Sequence, residues 1–235
     1  MKRFYKQVSV QPAPEDAGTG WQVALDGRTI RTALGAPQIV PSRALAEAMA
    51  REWAEQGEEI DTSAFPLRDL ADFAIDVAAP AKDKTIADLL SYAETDTLCY
   101  RADPDEPLFA RQQQVWEPLL TEIEARHALR FERVSGIVHR PQPAQTLAAL
   151  RAHLERQDAF TLAALTMLAS LAASLAVALA AVEEGADAER LWTAANCEED
   201  WQAEQWGWDS IAAERRAARL KAFATALEFA RLARS

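Results

Sequence analysis

Hydrophobic and polar positions alternate along the first forty residues and turn helical afterwards. Phe4, Lys6, Val8 and Val10 alternate with Tyr5, Gln7 and Ser9, the period of a half-buried strand. A loop rich in proline and glycine follows, from Gln11 to Gly20. Trp21–Leu25 and Arg28–Thr32 flank an Asp26-Gly27 pair, the strongest short-range signal for a β-hairpin. Gln38 to Val40 can add a short strand before Pro41. From Ser42, a plausible N-cap, the period lengthens. Leu45, Met49 and Trp53 make the inward stripe of a first helix, ended by Gly57. Leu67, Leu70, Ala71, Ala74 and Ile75 make a second stripe, which Pro80 stops. Ile86, Leu89, Leu90 and Ala93 make a third. Residues 95–101 break the helical period and read as a strand or an extended loop, residues 129–139 alternate like a strand, and as strands both can rejoin the sheet. Between them a helix from about Leu108 to Ala125 contains Pro118, which is expected to kink or split it. Gln142 opens a helix through Leu154. Asp187 caps one through Gln205, closed by Gly207, and Asp209 caps a last helix with the stripe Ile211, Ala218, Phe223, Leu227 and Ala230.

The stretch from Ala159 to Val182 has 24 residues without a charge, ten of them Ala. Its length suits a membrane span. Acidic flanks (Asp158, Glu183, Glu184), no Lys/Arg bias and no aromatic belt argue instead for a core helix of a soluble bundle. Leu165, Leu168, Leu171, Leu175 and Leu179 form a bulky face, and Ala163, Thr166, Ser170, Ala173, Val177 and Ala180 a small one. Asp158 and Gly185 are the expected caps.

These patterns predict an α+β fold: a small N-terminal antiparallel β-rich unit over residues 1–60 and a larger all-helical unit over 61–235. A chain of 235 residues, 49% hydrophobic, can build such a core without disulfides or metal. The net charge of −11 argues against nucleic acid as a partner. That charge is uneven, +2 over residues 1–40 and −13 over the rest. Two cysteines far apart, Cys99 and Cys197, fit a reducing compartment, and Cys99, between Leu98 and Tyr100, reads as a small buried hydrophobe. The N-terminus has no apolar segment of a secretory signal and is too short and strand-like for a transit peptide.

No GxxxxGK, GxGxxG or GxSxG motif occurs, so neither a nucleotide cradle nor a serine nucleophile elbow is expected. His127, His139 and His153 lack metal-ligand spacing and read as surface or loop residues, so no metal and no cofactor is assigned. Glu183 to Asp209 stands out, with nine acids, one base (Arg190) and four tryptophans. On a helix, Glu198, Gln202 and Gln205 share a face, as do Glu199, Gln202 and Trp206. The plain reading is a solvated acidic helix with inward tryptophans. It suits Trp192 and Trp201 better than Trp206 and Trp208, which flank Gly207. Tryptophan beside acidic and polar groups is also what protein-binding surfaces use. With so few bases in the segment, internal ion pairs do not account for its carboxylates.

Two stretches carry a resemblance. Glu198 to Gly207, Glu-Glu-Asp-Trp-Gln-Ala-Glu-Gln-Trp-Gly, with Asp209 after it, resembles the C-terminal signature of the F1-ATPase assembly chaperones that bind the F1 alpha subunit. Tyr92 to Ala102, of the form Y-x-x-T-D-x-L-C-Y-R-A, resembles that family's other signature. Gln113 to Leu119 around Trp116, together with Pro66, Leu67 and Ala74 to Asp76, also fit it, so the resemblance runs from about Phe4 to Arg231. Asp72 and Phe73, where the family pattern is more polar, and Cys197, where it is apolar, depart from it.

The resemblance implies a non-enzymatic chaperone, working as a monomer in the bacterial cytoplasm, that holds the free F1 alpha subunit until the beta subunit replaces it. It implies no nucleotide site, no nucleic acid and no membrane insertion. The candidate partner-binding residues are Glu198, Glu199, Gln202, Gln205, Trp206, Gly207 and Asp209, with Asp96, Tyr100 and Arg101 as a second patch that either touches the client or braces the fold. The alternative from the residues alone is a small acid/base enzyme using Glu198 or Asp96 in a cleft between the β-rich and helical units. A purely structural bundle is a third possibility.

Overall fold

A computed structural model of the chain describes residues 1–235 except Ile137 and Trp208. By Cα proximity the chain divides into two compact units: Met1–Lys82 with Asp158–Ala164 and Glu228–Ser235, and Asp83–Gln157 with Leu165–Leu227.

The first unit carries the antiparallel sheet β1 (Val8–Pro12), β2 (Trp21–Leu25) and β3 (Arg28–Thr29), in that order. Val10 stands opposite Val23, and Leu25 opposite both Val8 and Arg28. Asp26 (φ 47) and Gly27 (φ 80) are the two left-handed residues that a tight hairpin turn requires. The Asp26 carboxylate accepts from the Lys6 and Gln7 amides, which ties the turn to the residues before β1. The segment through Val40 bridges Trp21 at one position only instead of forming a strand.

Helix α1 (Arg43–Ala54) packs on β1 and β2. Ser42 caps it, accepting from Leu45 N at 3.0 Å and donating to the Leu232 carbonyl at 2.5 Å. Leu45, Met49 and Trp53 point inward as the stripe requires. Trp53 lies 4.4 Å from the Phe65 ring and 5.6 Å from that of Tyr5, whose hydroxyl donates to the Trp53 carbonyl at 2.6 Å. After α2 (Pro66–Phe73) a π-helical turn over Ala74–Ala78 adds a residue to the winding. Ala74 and Ala78 are buried while Ile75, expected in the stripe, is only half-buried. Asp72 and Asp76 then hold the loop after β3: Asp72 accepts from Ala33 N, and Asp76 from Leu34 N and the Thr32 hydroxyl.

The second unit is helical: α3 (Lys82–Glu94), which begins at the last residue of the first unit, α4 (Pro107–His127), α5 (Ala144–Glu155), α7 (Leu175–Ala181), α8 (Ala188–Ala195) and α9 (Cys197–Trp206). Helices α6 (Ala159–Ala172) and α10 (Ser210–Ala233) contribute residues to both units. Helix α4 contacts α5, α7 and α9, and α8 contacts α7 and α9. Trp116 of α4 is wholly buried and donates its indole N–H to the Ala194 carbonyl at 2.7 Å. Trp192 meets Phe223 at 5.6 Å.

Several expectations are corrected. The apolar stretch is two helices, broken where Ala173 takes φ 48 and Ser174 caps α7 by accepting from Val177 N at 3.0 Å. Among the described residues no helix is long and apolar enough to cross a membrane. Every residue from Leu175 to Val182 is buried, whereas Ser170 and Ala173 on the small face are exposed. Pro118 neither ends nor splits α4. It lies on the exposed face with Gln114, whose carbonyl it leaves without a helical donor on the wet side, where water can take the place of the N–H. Segments 95–101 and 129–139 do not join the N-terminal sheet. They supply only β4 (Tyr100–Arg101) and β5 (Val134–Ser135), paired in parallel with each other. The pairing proposed around Ile137 lies partly outside the described residues. Ile211, placed in the last stripe, is 62% exposed, because α10 is buried only from Phe223 onward.

Tyr5→Phe removes one buried hydrogen bond without removing the ring. It is expected to cost about 0.5–1.5 kcal/mol, because the Trp53 carbonyl loses its short bond and keeps only the longer one from Gln56 N at 3.4 Å. Urea unfolding followed by circular dichroism checks this.

Candidate partner-binding surface

Asp187 caps α8, its carboxylate accepting from Glu189 N at 3.0 Å and Arg190 N at 3.1 Å. The helix expected to run from Asp187 through Gln205 instead breaks at Asn196. The Asn196 side-chain amide donates to the Trp192 carbonyl at 2.8 Å, satisfying an end group of α8, and α9 starts afresh at Cys197. At its far end Gly207 (φ 86) turns the chain out of the helix, and its N–H reaches the Ala203 carbonyl at 2.8 Å. That left-handed backbone favours glycine. Asp209 then begins α10, its carboxylate 3.4 Å from Ala212 N.

The carboxylates of this segment divide sharply. Glu198 accepts from the Gln112 side-chain amide at 2.7 Å, and the Gln112 carbonyl oxygen accepts from Ala102 N at 2.9 Å. Partial burial pushes the Glu198 carboxyl upward, and the bond from Gln112 opposes that shift. Asp200 is held by both arms of the Arg216 guanidinium at 2.8 and 2.6 Å. Glu204 pairs with Arg111 at 2.8 Å, and Glu183 with Arg126 at 2.6 Å. Arginines from α4 and α10 thus pair with three of the segment's nine acids, Glu183, Asp200 and Glu204. Glu199 is exposed and has no ion pair or side-chain hydrogen bond among the described residues. It shares its side of α9 with Gln202 and Trp206, and Gln205 is exposed beside them. Trp206 is 80% exposed, whereas Trp116 and Trp192 are at most 1% exposed. Trp208 lies outside the described residues.

Asp96, Tyr100 and Arg101 sit elsewhere and differ from one another. Asp96 is wholly buried. Its two oxygens accept from Leu98 N at 3.1 Å and Ala176 N at 2.9 Å, with Ser174 and Leu175 as further donors. Burial raises its carboxyl to about 6, against the pull of those donors. Arg101 is 5% exposed and donates to Glu117 at 2.7 Å. Glu117 also receives Arg133, which in turn pairs with Glu124. These two arginines hold the Glu117 carboxyl below its ordinary value even though burial pushes the other way. Tyr100 is half-buried, its hydroxyl 2.7 Å from His139 Nδ1. Asp96 and Arg101 thus offer a partner almost no surface.

Gln112 is not among the residues that the sequence pattern singles out. It lies one turn before Trp116 and two before Leu119 on the inward face of α4, and a polar residue within a buried stripe is the signal that it bridges something. His127 and His153, read as surface or loop residues, are on helices with their rings 4.4 Å apart, and burial lowers both below the ordinary histidine value. Among the described residues no three His, Cys, Asp or Glu side chains gather as metal ligands. Cys99 and Cys197 are both buried, and burial pushes both thiols up.

A small antiparallel sheet followed by a helical region whose penultimate helix, α9, is acidic and bears tryptophan defines a known architecture. The structure is similar to Atp12 from Paracoccus denitrificans, with a TM-score of 0.91 and 35% identity over 99% of this chain and 98% of that one. A variant of that P. denitrificans protein superimposes equally well, at 0.91 and 35% over 99% and 97%. The Atu1473 protein of Agrobacterium tumefaciens gives 0.92 and 38% over 98% of this chain and 85% of that one. Residues 2–124 match the family described as ATP12 chaperone protein. The chain belongs to the ATP12 chaperone family.

Asp96→Asn tests the buried carboxylate. Asparagine has one acceptor oxygen where the site presents amides to two, so a loss of about 1–3 kcal/mol is expected at pH 7. The carboxyl of the folded protein is raised above its unfolded value. Its contribution to stability is therefore fully present below the unfolded value and is lost as pH rises through about 6. The difference between wild type and Asp96→Asn should widen as pH falls from 7 to 5. Urea midpoints at the two pH values measure it.

Proposed function

We propose that this protein is an assembly chaperone of ATP synthase that binds the free F1 alpha subunit before it pairs with the beta subunit. Membership of the ATP12 chaperone family supports the chaperone role. The binding surface is the outer face of α9, made by Glu199, Gln202, Gln205 and Trp206 up to the turn at Gly207. One observation carries this placement: Trp206 is 80% exposed beside the one α9 carboxylate that has no partner among the described residues. An exposed indole costs free energy in water, and it is an effective anchor when a partner covers it. Glu198, Asp200 and Glu204 instead position α9 through Gln112, Arg216 and Arg111. Asp96 and Arg101 brace the fold from within, and Tyr100 is held against His139.

The protein acts as a monomer in the bacterial cytoplasm and uses no nucleotide or other cofactor. The enzyme alternative gains little support. Asp96 is wholly buried, and Glu198 is engaged by Gln112.

Glu199→Lys is expected to leave the melting temperature within a few degrees of wild type, because exposed charges contribute little to stability. Capture of newly made F1 alpha subunit should fall at least about tenfold, because at an interface the reversed charge meets like charge. Asp200→Lys should instead lower the melting temperature, because it breaks the two-armed pair with Arg216. A pull-down and a melting curve for each variant separate the two roles. Capture by Glu199→Lys equal to wild type would place the client elsewhere.

A further inference from the structure

A groove of about 600 Å³ lies between α4 and α8 in the second unit. Its floor is apolar, from Val115, Leu119 and Leu191, and Arg111, Pro118 and Arg190 also line it. On a chain of net charge −11, no Asp or Glu lines this groove.

The two arginines differ. Arg111 is held in place by Glu204 of α9 at 2.8 Å. Arg190 is exposed and has no ion pair or side-chain hydrogen bond among the described residues. Arg190 also lines the neighbouring pocket, together with Arg126 and the acids Glu122, Glu183, Glu184 and Asp187. Glu183 there is taken by Arg126 at 2.6 Å. Four acids thus crowd the neighbouring pocket and none lines the groove, so an anionic group is better received on the groove side of Arg190. Pro118 adds a second polar feature. It has no N–H for the Gln114 carbonyl, and both residues are exposed on the groove wall, so that carbonyl is open to an outside donor.

We infer that this groove docks an apolar segment of the client that carries a carboxylate, seated between Arg111 and Arg190, with an N–H group of the segment donating to the Gln114 carbonyl. The inference rests on the proposed chaperone function and extends its surface. Glu204 joins the groove to α9 through Arg111, so one client can lie across both. Apolar side chains on the floor supply the burial, and the arginine pair sets register and excludes basic segments.

The test places the photo-crosslinker p-benzoylphenylalanine at Thr193, an exposed residue of the groove wall, and at Lys84 as a control away from it. Each full-length protein is mixed with newly synthesised F1 alpha subunit, irradiated, and the crosslink mapped by mass spectrometry. Binding of the same subunit by Arg190→Glu and Arg190→Ala is measured in parallel, with melting curves. The expected result is a crosslink from position 193 to a segment with Asp or Glu among aliphatic residues. Arg190→Glu should weaken binding about tenfold or more, and Arg190→Ala by a smaller factor, with unchanged melting temperatures. The inference is overturned if the position 193 crosslink is absent or maps to a segment without a carboxylate. Wild-type affinity in Arg190→Glu would also overturn it. In either case, if Glu199→Lys still abolishes capture, the proposed function stands and only the groove falls. If the wild-type protein captures no alpha subunit, both fall together.

Discussion

A single buried carboxylate decides how the most apolar part of this chain folds. Asp96 accepts from the amides of Leu98 and Ala176, so it fixes the turn before β4 and the first turn of α7 at once. Left to its own propensity, the run from Ala159 to Val182 would continue as one helix, since alanine and leucine are strong helix formers. The break at Ala173 frees the amides at the start of α7, and Asp96 and Ser174 receive them. Thr97 completes the join by donating both its amide and its hydroxyl to the Ala173 carbonyl. A charge without solvent is tolerated there because several donors converge on it, and their loss would leave the group uncompensated. With α7 placed, its wholly buried face receives α4 and α8, and α4 and α8 carry α9.

The acidic C-terminal segment follows the same logic of compensation. On α9 the carboxylates of Asp200 and Glu204 are committed to arginines from α10 and α4, and that of Glu198 to Gln112, which orients α9 without covering its outer face. What remains uncommitted is small and specific: Glu199, two glutamines and a protruding indole. An assembly chaperone needs such a surface, because it must cover an apolar region of its client yet let it go. A polar face with one aromatic anchor binds by packing and charge together and has too little apolar area to become permanent.

The hairpin at Asp26 and Gly27, the stripe of α1 and the overall order of a small sheet before a helical region were legible because each rests on local chemistry. A turn that needs two left-handed residues and a helix with a capping serine announce themselves within a few positions. The break inside the apolar run was not legible, because its cause, Asp96, lies 80 residues away in sequence from Ala176. The same holds for the charge balance of α9. Within its own segment Arg190 is the lone base, and the arginines that pair with Asp200 and Glu204 arrive from α10 and α4. Glu199 and Trp206 were nameable as a pair from helical spacing alone. Separating Glu199 from Glu198 required the position of Gln112.

The central claim is that the exposed face of α9 around Trp206 receives the F1 alpha subunit. Hydroxyl-radical footprinting of the free protein and of its complex with the alpha subunit reads this one side chain directly. The account predicts that Trp206 oxidises readily in the free protein and is strongly protected in the complex, while buried Trp116 and Trp192 stay unreactive in both. A complex that forms while Trp206 oxidises at its free rate would contradict it.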